Sequence, residues 1–108
     1  MTPEDIELLR LARSAQMGLV FSTEDVQAAV QFHAEGHEIG WNALQDDGDA
    51  LRLAVALGMN VHVIRDDGTF VSRYEHEPVI AEKRGADPYA ATRRAIVRVA
   101  AAIGKDMT

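Results

Sequence analysis

Residues that could bind a metal ion lie in the first half of the chain. His33 and His37 are four residues apart, a spacing at which two side chains of one helix can hold a single ion. Gly36 precedes the second histidine and indicates that the helix has already ended, so a solvated or partly buried histidine pair is the competing interpretation. We favour the pair, and we expect neither a metal nor a cofactor.

Residues 46–49 (Asp-Asp-Gly-Asp) form an acidic cluster that looks like part of a calcium-binding loop. Such a loop needs alternating oxygen ligands and a distant bidentate glutamate, and both are missing here. Aspartates at a helix start instead accept hydrogen bonds from the free backbone N–H groups of the first turn. We therefore expect this cluster to cap a helix. Residues 66–68 (Asp-Asp-Gly) are expected to form a turn.

Two features could contact a ligand or a partner protein. Trp41 is the only tryptophan and can serve as an anchor, although the scarcity of aromatic residues favours a place in the core. Arg93, Arg94 and Arg98, with Lys105, form a basic stripe. This stripe could bind phosphate or an acidic partner, but a solvated helix face is the favoured interpretation. The candidate binding residues are Trp41, Asn42, Asp47, Asp49, Arg52, Arg94 and Arg98.

The sequence carries no motif typical of a nucleophilic enzyme. It has no cysteine, no glycine-rich phosphate loop after a strand and no Gly-x-Ser-x-Gly segment. We therefore expect a protein without catalytic activity. The competing enzyme hypothesis places Trp41, Asp47, Asp49 and His62 around a pocket.

Length and composition are typical of one small domain spanning residues 1–108. The absence of cysteine excludes a disulfide framework and suits a reducing cytoplasm. A formal charge of −6, from 17 acidic and 11 basic residues, argues against a nonspecific nucleic-acid surface. No apolar run is long enough to span a membrane, and the acidic N-terminal residues do not resemble an export signal. We expect a cytoplasmic protein of a bacterial cell, without a membrane partner.

Two amphipathic helices are predicted at the start of the chain. Thr2 and Pro3 are typical of an N-cap and a first helical residue, and this helix is expected to end at Gly18. Ser22 and Asp25 have capping-box spacing, and the second helix is expected to stop at Gly36. The short connection predicts an antiparallel helical hairpin.

Residues 40–73 are predicted to form the central unit of the fold. A helix is expected from about Gly48 to Leu57. Its residues 50–57 are apolar on nearly every side, with Arg52 as their only charge, so we expect its neighbours to enclose it. A β-hairpin follows at about residues 60–74. A glycine-closed turn over residues 66–68 would pair Ile64 with Phe70.

The last third of the chain is predicted to add a strand and a helix. Residues 75–78 are charged and end in proline, which disfavours a central strand there. Residues 79–81 are expected to form a third strand, and residues 82–86 a loop. Asp87 and Pro88 start a final helix that reaches about Ile103. The predicted fold class is α+β, a two- or three-stranded antiparallel sheet packed against about four helices.

Two segments resemble small uncharacterised proteins of tailed-phage and prophage genomes. Residues 41–44 (Trp-Asn-Ala-Leu) lead into residues 46–55 (Asp-Asp-Gly-Asp-Ala-Leu-Arg-Leu-Ala-Val), as Trp-Asn-Pro-Leu leads into the same acidic helix start in those proteins. Ala43 stands where they have proline. Residues 87–98 are similar to their last helix and, more loosely, to the Asp-Pro-Leu-x-Ala-x-Arg helix of the NinX-like phage family. The resemblance implies a phage or prophage accessory protein, and it implies no catalytic residue.

Three functional hypotheses follow. The first is a noncatalytic binding or adaptor protein that acts on an unknown host or phage protein and can form a homodimer. The second is a nucleic-acid-associated factor that uses Arg93, Arg94 and Arg98, although the charge balance disfavours it. The third is the small enzyme with a site near Trp41 and Asp49.

Overall fold

A computed structural model of the chain describes residues 1–73 and 79–107. The elements are α1 (Pro3–Met17), α2 (Thr23–Ala34), α3 (Asp47–Leu57), β1 (Asn60–Ile64), β2 (Gly68–Ser72), β3 (Ile80–Lys83) and α4 (Pro88–Lys105). This arrangement confirms the predicted α+β class. The predicted hairpin residue Tyr74 and the charged segment 75–78 lie outside the described residues. In the described part of the chain, no helix is both long enough and apolar enough to cross a membrane.

The predicted helix starts are confirmed by side-chain caps. The hydroxyl of Thr2 accepts a hydrogen bond from the Asp5 N–H at 3.1 Å, and Ser22 and Asp25 form a reciprocal capping box. Asp46 caps α3, because its carboxylate accepts the Asp49 N–H at 2.9 Å. Asp87 caps α4 in the same way. Each cap satisfies backbone donors that a helix leaves unpaired at its first turn.

The sheet is antiparallel with strand order β1-β2-β3. The third strand was predicted, but it begins one residue later and includes Glu82 and Lys83, which were expected in a loop. The predicted hairpin register was wrong by two residues, because Ile64 pairs with Gly68 and His62 with Phe70. A shift of two residues keeps every side chain on its expected face, since strand side chains alternate with a period of two.

The enclosed helix of this fold is α4. It contacts α1, α3, β2 and β3, and its alanines 91, 95, 100 and 101 are buried. Small alanine side chains leave room for a neighbouring helix, and α1 packs closely against α4. The close approach is visible at Gly104, where a Cβ atom would lie 1.9 Å from the backbone oxygen of Leu11.

The prediction that α3 is enclosed on most sides was wrong. Ala50, Leu53 and Ala54 are buried in the core, whereas Leu51 is 63% exposed and Val55 is 73% exposed. The sheet packs against α4 and leaves the outer side of α3 uncovered. The surplus apolar residues of α3 therefore form part of the protein surface.

Candidate binding groove

A groove of about 700 Å³ separates α3 from β1, with the first half of α4 as its floor. We name it the α3–β1 groove. Helix α3 ends at Gly58, which has a φ of 64°, and β1 begins two residues later. The helix and the strand are therefore joined at one end by a tight left-handed turn, and the groove lies between them.

The walls of the groove are apolar. Leu51 and Ala54 line it from α3, Val61 and Val63 from β1, and Ile96 from α4. Three of its hydrophobic lining side chains are more than half exposed: Leu51, Val63 at 53%, and Tyr89 at 66%. Contiguous exposed apolar surface is uncommon on a monomeric protein and commonly marks a binding site.

Two threonine hydroxyls on the floor of the groove form a hydrogen bond with each other. Thr69 of β2 is buried, and its Oγ1 lies 2.7 Å from Oγ1 of Thr92 in α4. The Thr92 hydroxyl donates to the Pro88 carbonyl at 2.9 Å. Because a hydroxyl carries a single proton, Thr69 is the donor in the pair. Both hydroxyl protons are thus engaged.

Arg93 is held in place beneath one wall of the groove. Its Nε donates to the Leu44 carbonyl at 2.8 Å, and Nη1 donates to the Asp47 carboxylate at 2.7 Å. The Arg93 side chain is only 13% exposed, whereas that of Asp47 is 69% exposed. This arginine therefore ties α4 to the start of α3, and it is not an open cationic site.

Two further arginines line the end of the groove near the β1–β2 turn. Arg65 belongs to the turn, and the backbone N–H of Arg84 donates to the Asp67 carbonyl at 2.9 Å. Both side chains are exposed, and neither makes an ion pair with any residue in the described ranges. The turn carboxylates Asp66 and Asp67 do not line the groove. This end of an apolar groove is consequently basic, in a protein with a net charge of −6.

The predicted acidic cluster forms a hydrogen-bonded network at the start of α3. Asp49 is buried and accepts the Asn42 N–H at 2.9 Å, and its other oxygen accepts from Arg52 at 2.6 Å. Asp46 binds the Asp49 N–H and contacts Nε2 of His33 at 3.1 Å. The Asp49 N–H and then the His33 contact lower the pKa of Asp46. The network joins α2, the connecting loop and α3.

The same network contains three groups that could ligate a metal ion. One ligand atom each from His33, Asp46 and Asp49 lies within 4.8 Å of the others. Every carboxylate oxygen of the pair of aspartates already has a protein partner, including the Arg52 cation. A metal ion would have to displace these partners, so the geometry favours the capping interpretation. His37 lies apart from this set, with its ring against Phe32.

Trp41 lies in the core, with 4% of its surface exposed. Its backbone N–H donates to the Ala29 carbonyl at 3.0 Å, and the guanidinium of Arg13 lies 4.9 Å from the centre of its ring. The indole Nε1–H is buried without a hydrogen-bond partner in the described part of the chain. This position matches the core interpretation of the only tryptophan.

The three arginines of the predicted basic stripe pair with acidic residues. Besides Arg93, Arg94 pairs with Asp5 of α1 at 3.2 Å, and Arg98 pairs with Glu82 of β3. Each pair links α4 to a neighbouring element. Phosphate binding by these arginines would have to compete with carboxylates already in place, so the arrangement gives no support to the nucleic-acid hypothesis.

Of the seven candidate binding residues, only Asp47 lines the α3–β1 groove. Trp41, Asn42 and Asp49 are buried, and Arg52, Arg94 and Arg98 pair with carboxylates elsewhere. Nor are the four residues of the enzyme hypothesis brought together in this groove. Sequence reasoning missed the groove itself. The available signal was the apolar excess of α3, which we interpreted as burial when it marks an exposed wall.

Neither a known protein family, nor a curated protein, nor a solved structure matches this chain.

Proposed function

We propose that this protein is a noncatalytic binding module and that the α3–β1 groove receives a segment of a partner protein. The observation that carries the proposal is the convergence of exposed apolar side chains from three elements. Leu51, Val63 and Tyr89 come from α3, β1 and α4, and each is more than half exposed. Covering such side chains removes apolar surface from water, which is the main driving force of protein association.

The polar groups of the groove also favour binding over catalysis. The Thr69, Thr92 and Arg93 side chains are engaged in hydrogen bonds that hold the floor and wall together. Among the described lining residues there is no histidine or cysteine, and the single carboxylate, Asp47, pairs with Arg93. This arrangement suits a rigid binding surface, because the threonines of its floor and the Arg93–Asp47 pair of its wall are already satisfied.

We further propose, on the sequence resemblance alone, that the module is an accessory protein of phage or prophage origin that acts in the bacterial cytoplasm. The support is the acidic helix start after Trp41 and the segment that begins at Asp87. On this proposal the partner is a host or phage protein.

The experiment compares the proteins captured by three immobilised forms of the chain from an extract of the bacterium that carries its gene. Leu51→Glu places a charge in the groove. Val55→Glu is the matched control, because Val55 lies one turn away on α3, is 73% exposed and does not line the groove. Circular dichroism must show that both variants remain folded.

We expect a protein that the wild type and Val55→Glu retain and that Leu51→Glu loses. Burial of one leucine contributes about 1.5–3 kcal/mol, so the captured amount should fall about tenfold or more. Identical capture by all three forms, or no capture by any of them, would contradict the proposed function.

A further inference from the structure

We infer that the segment bound by the groove is an extended stretch of another protein that pairs with the free edge of β1 and carries acidic residues beside Arg65 and Arg84. This inference rests on the proposed function and specifies the chemistry of its partner. It combines a strand edge, an apolar wall and a basic end, and each of these comes from a separate observation.

The strand edge comes first. Strand β1 pairs with β2 on one side only, and all five of its residues are exposed. The backbone groups on its outer side face no other strand in the described part of the chain. Proteins usually protect such an edge with proline, lysine or a bulge. Strand β1 contains neither residue, so its edge can accept an added strand through main-chain hydrogen bonds.

The apolar wall of the groove favours apolar side chains in the bound segment. Val61 and Val63 alternate along β1 with His62, and both line the groove. A strand added beside β1 would continue the sheet, and every second side chain of it would point to the same face. Those side chains would lie opposite Leu51 and Ala54 of α3. The segment should therefore have apolar residues two positions apart.

The basic end of the groove favours acidic residues in the bound segment. Arg65 and Arg84 line the groove next to the β1–β2 turn, and Arg93 is already neutralised by Asp47. Two exposed guanidinium groups without an acidic partner among the described residues favour carboxylates at that end of the segment. The protein as a whole is acidic, so this attraction is local to the groove.

Two other occupants fit less well. A second copy of the chain could pair β1 with β1, but Asn60–Ile64 contains no carboxylate to place near Arg65. An acyl chain with a carboxylate head could fill the apolar groove and reach an arginine, but it would leave the hydrogen-bonding edge of β1 unused. A peptide strand alone uses all three features.

The test selects peptides from a displayed library of random 12-residue sequences, with the full-length folded protein as bait. We expect enrichment of peptides that alternate apolar residues and carry aspartate or glutamate near one end. The dissociation constant of an enriched peptide is then measured by fluorescence polarisation. Arg65→Glu and Arg84→Glu should each weaken binding about 3- to 10-fold, and added salt should weaken it further.

Lys83→Glu is the matched control, because Lys83 is exposed, adjacent to Arg84 and outside the groove lining. This substitution makes the same change in net charge. The dissociation constant should stay within about twofold of the wild-type value, because Lys83 does not line the groove. A second experiment measures the binding of peptides in which alternate backbone N–H groups are replaced by N-methyl groups. Methylation at the residues whose N–H groups face β1 should abolish binding.

Several results would overturn the inference. These are enriched peptides without acidic residues, equal binding to the wild type and Arg84→Glu, tolerance of every N-methylated position, or no enriched peptide at all. Dimerisation of the wild type that Leu51→Glu abolishes would assign the groove to a second copy, and tight binding of oleate would assign it to an acyl chain. If groove-dependent capture succeeds while the peptide selection fails, only this inference falls. If both fail, the proposed function falls with it.

Discussion

The buried carboxylate of Asp49 accepts a hydrogen bond from the backbone N–H of Asn42 at 2.9 Å, across seven residues of chain. Its second oxygen accepts from Arg52 at 2.6 Å. The Asn42 side chain also bonds the local backbone, because its Oδ1 accepts the Leu44 N–H at 3.1 Å. The start of α3 is thereby fixed to the loop that follows Trp41, and one wall of the α3–β1 groove depends on that attachment.

Replacement of Asp49 by asparagine should destabilise the fold. Both oxygens of Asp49 face donors, and an amide would present its own N–H₂ to one of them. A buried donor without an acceptor costs about 1–3 kcal/mol of unfolding free energy. Urea unfolding followed by the fluorescence of Trp41 measures the loss. The same substitution at the exposed N-cap, Asp87→Asn, should change stability by less than about 0.5 kcal/mol, and equal losses at both positions would refute this reading.

Asp46 should make stability dependent on acidic pH. Its pKa lies below the ordinary value of 3.8, chiefly because it binds the Asp49 N–H and then because of His33. Its contribution is fully present above the pKa of the unfolded chain and is lost as the pH falls through the lower pKa of the folded state. We expect wild-type stability to fall more steeply than that of Asp46→Asn between about pH 5 and 3.

Urea titrations at several pH values measure the unfolding free energy, and the slope of this free energy against pH is compared between the two proteins. Asparagine keeps the N-cap, so the variant isolates the titration from the cap itself. Asp66→Asn, in the exposed β1–β2 turn, makes the same change in charge and should retain the wild-type slope. Equal slopes for wild type and Asp46→Asn would show that protonation of the Asp46 carboxylate does not affect the unfolding free energy.

Helix boundaries were predictable from the sequence because capping is local. Thr2, Ser22 and Asp87 each lie within three residues of the N–H groups that they bind. Gly18 and Gly58 end α1 and α3 with positive φ values of 68° and 64°, as their positions after apolar segments indicate. These signals require no knowledge of distant residues.

The groove was not predictable, since it depends on which elements cover α3. An apolar helix surface looks the same in the sequence whether it is buried or exposed. The decisive relation is the packing of the sheet on α4, which leaves Leu51 open, and it arises from contacts distant in sequence. The pairing of Arg93 with Asp47, 46 residues apart, was hidden for the same reason.

The threonine pair beneath the groove should respond unequally to substitution. Thr92→Val removes the acceptor of the buried Thr69 hydroxyl, which should cost about 1–3 kcal/mol of unfolding free energy. Thr69→Val leaves the Thr92 proton on the Pro88 carbonyl and should cost less than about 1 kcal/mol. Thermal or urea unfolding compares the two. If Thr69→Val were the more harmful change, the assigned direction of the hydrogen bond would be wrong.

Gly104 should be the least replaceable glycine of the helices. In α4 an added Cβ would lie 1.9 Å from the Leu11 backbone oxygen, so α1 and α4 would have to separate. Gly104→Ala should lose about 1–3 kcal/mol or more of unfolding free energy, although alanine in an open helix gains about 1 kcal/mol over glycine. Gly48→Ala is the matched control, because the nearest atoms to its Cβ would be side-chain ends, the Arg52 guanidinium and Asp46 Oδ1, both at 3.2 Å, so it should cost less than Gly104→Ala. Gly104→Ala behaving like Gly48→Ala in urea unfolding would mean that the two helices do not approach each other as closely as this packing requires.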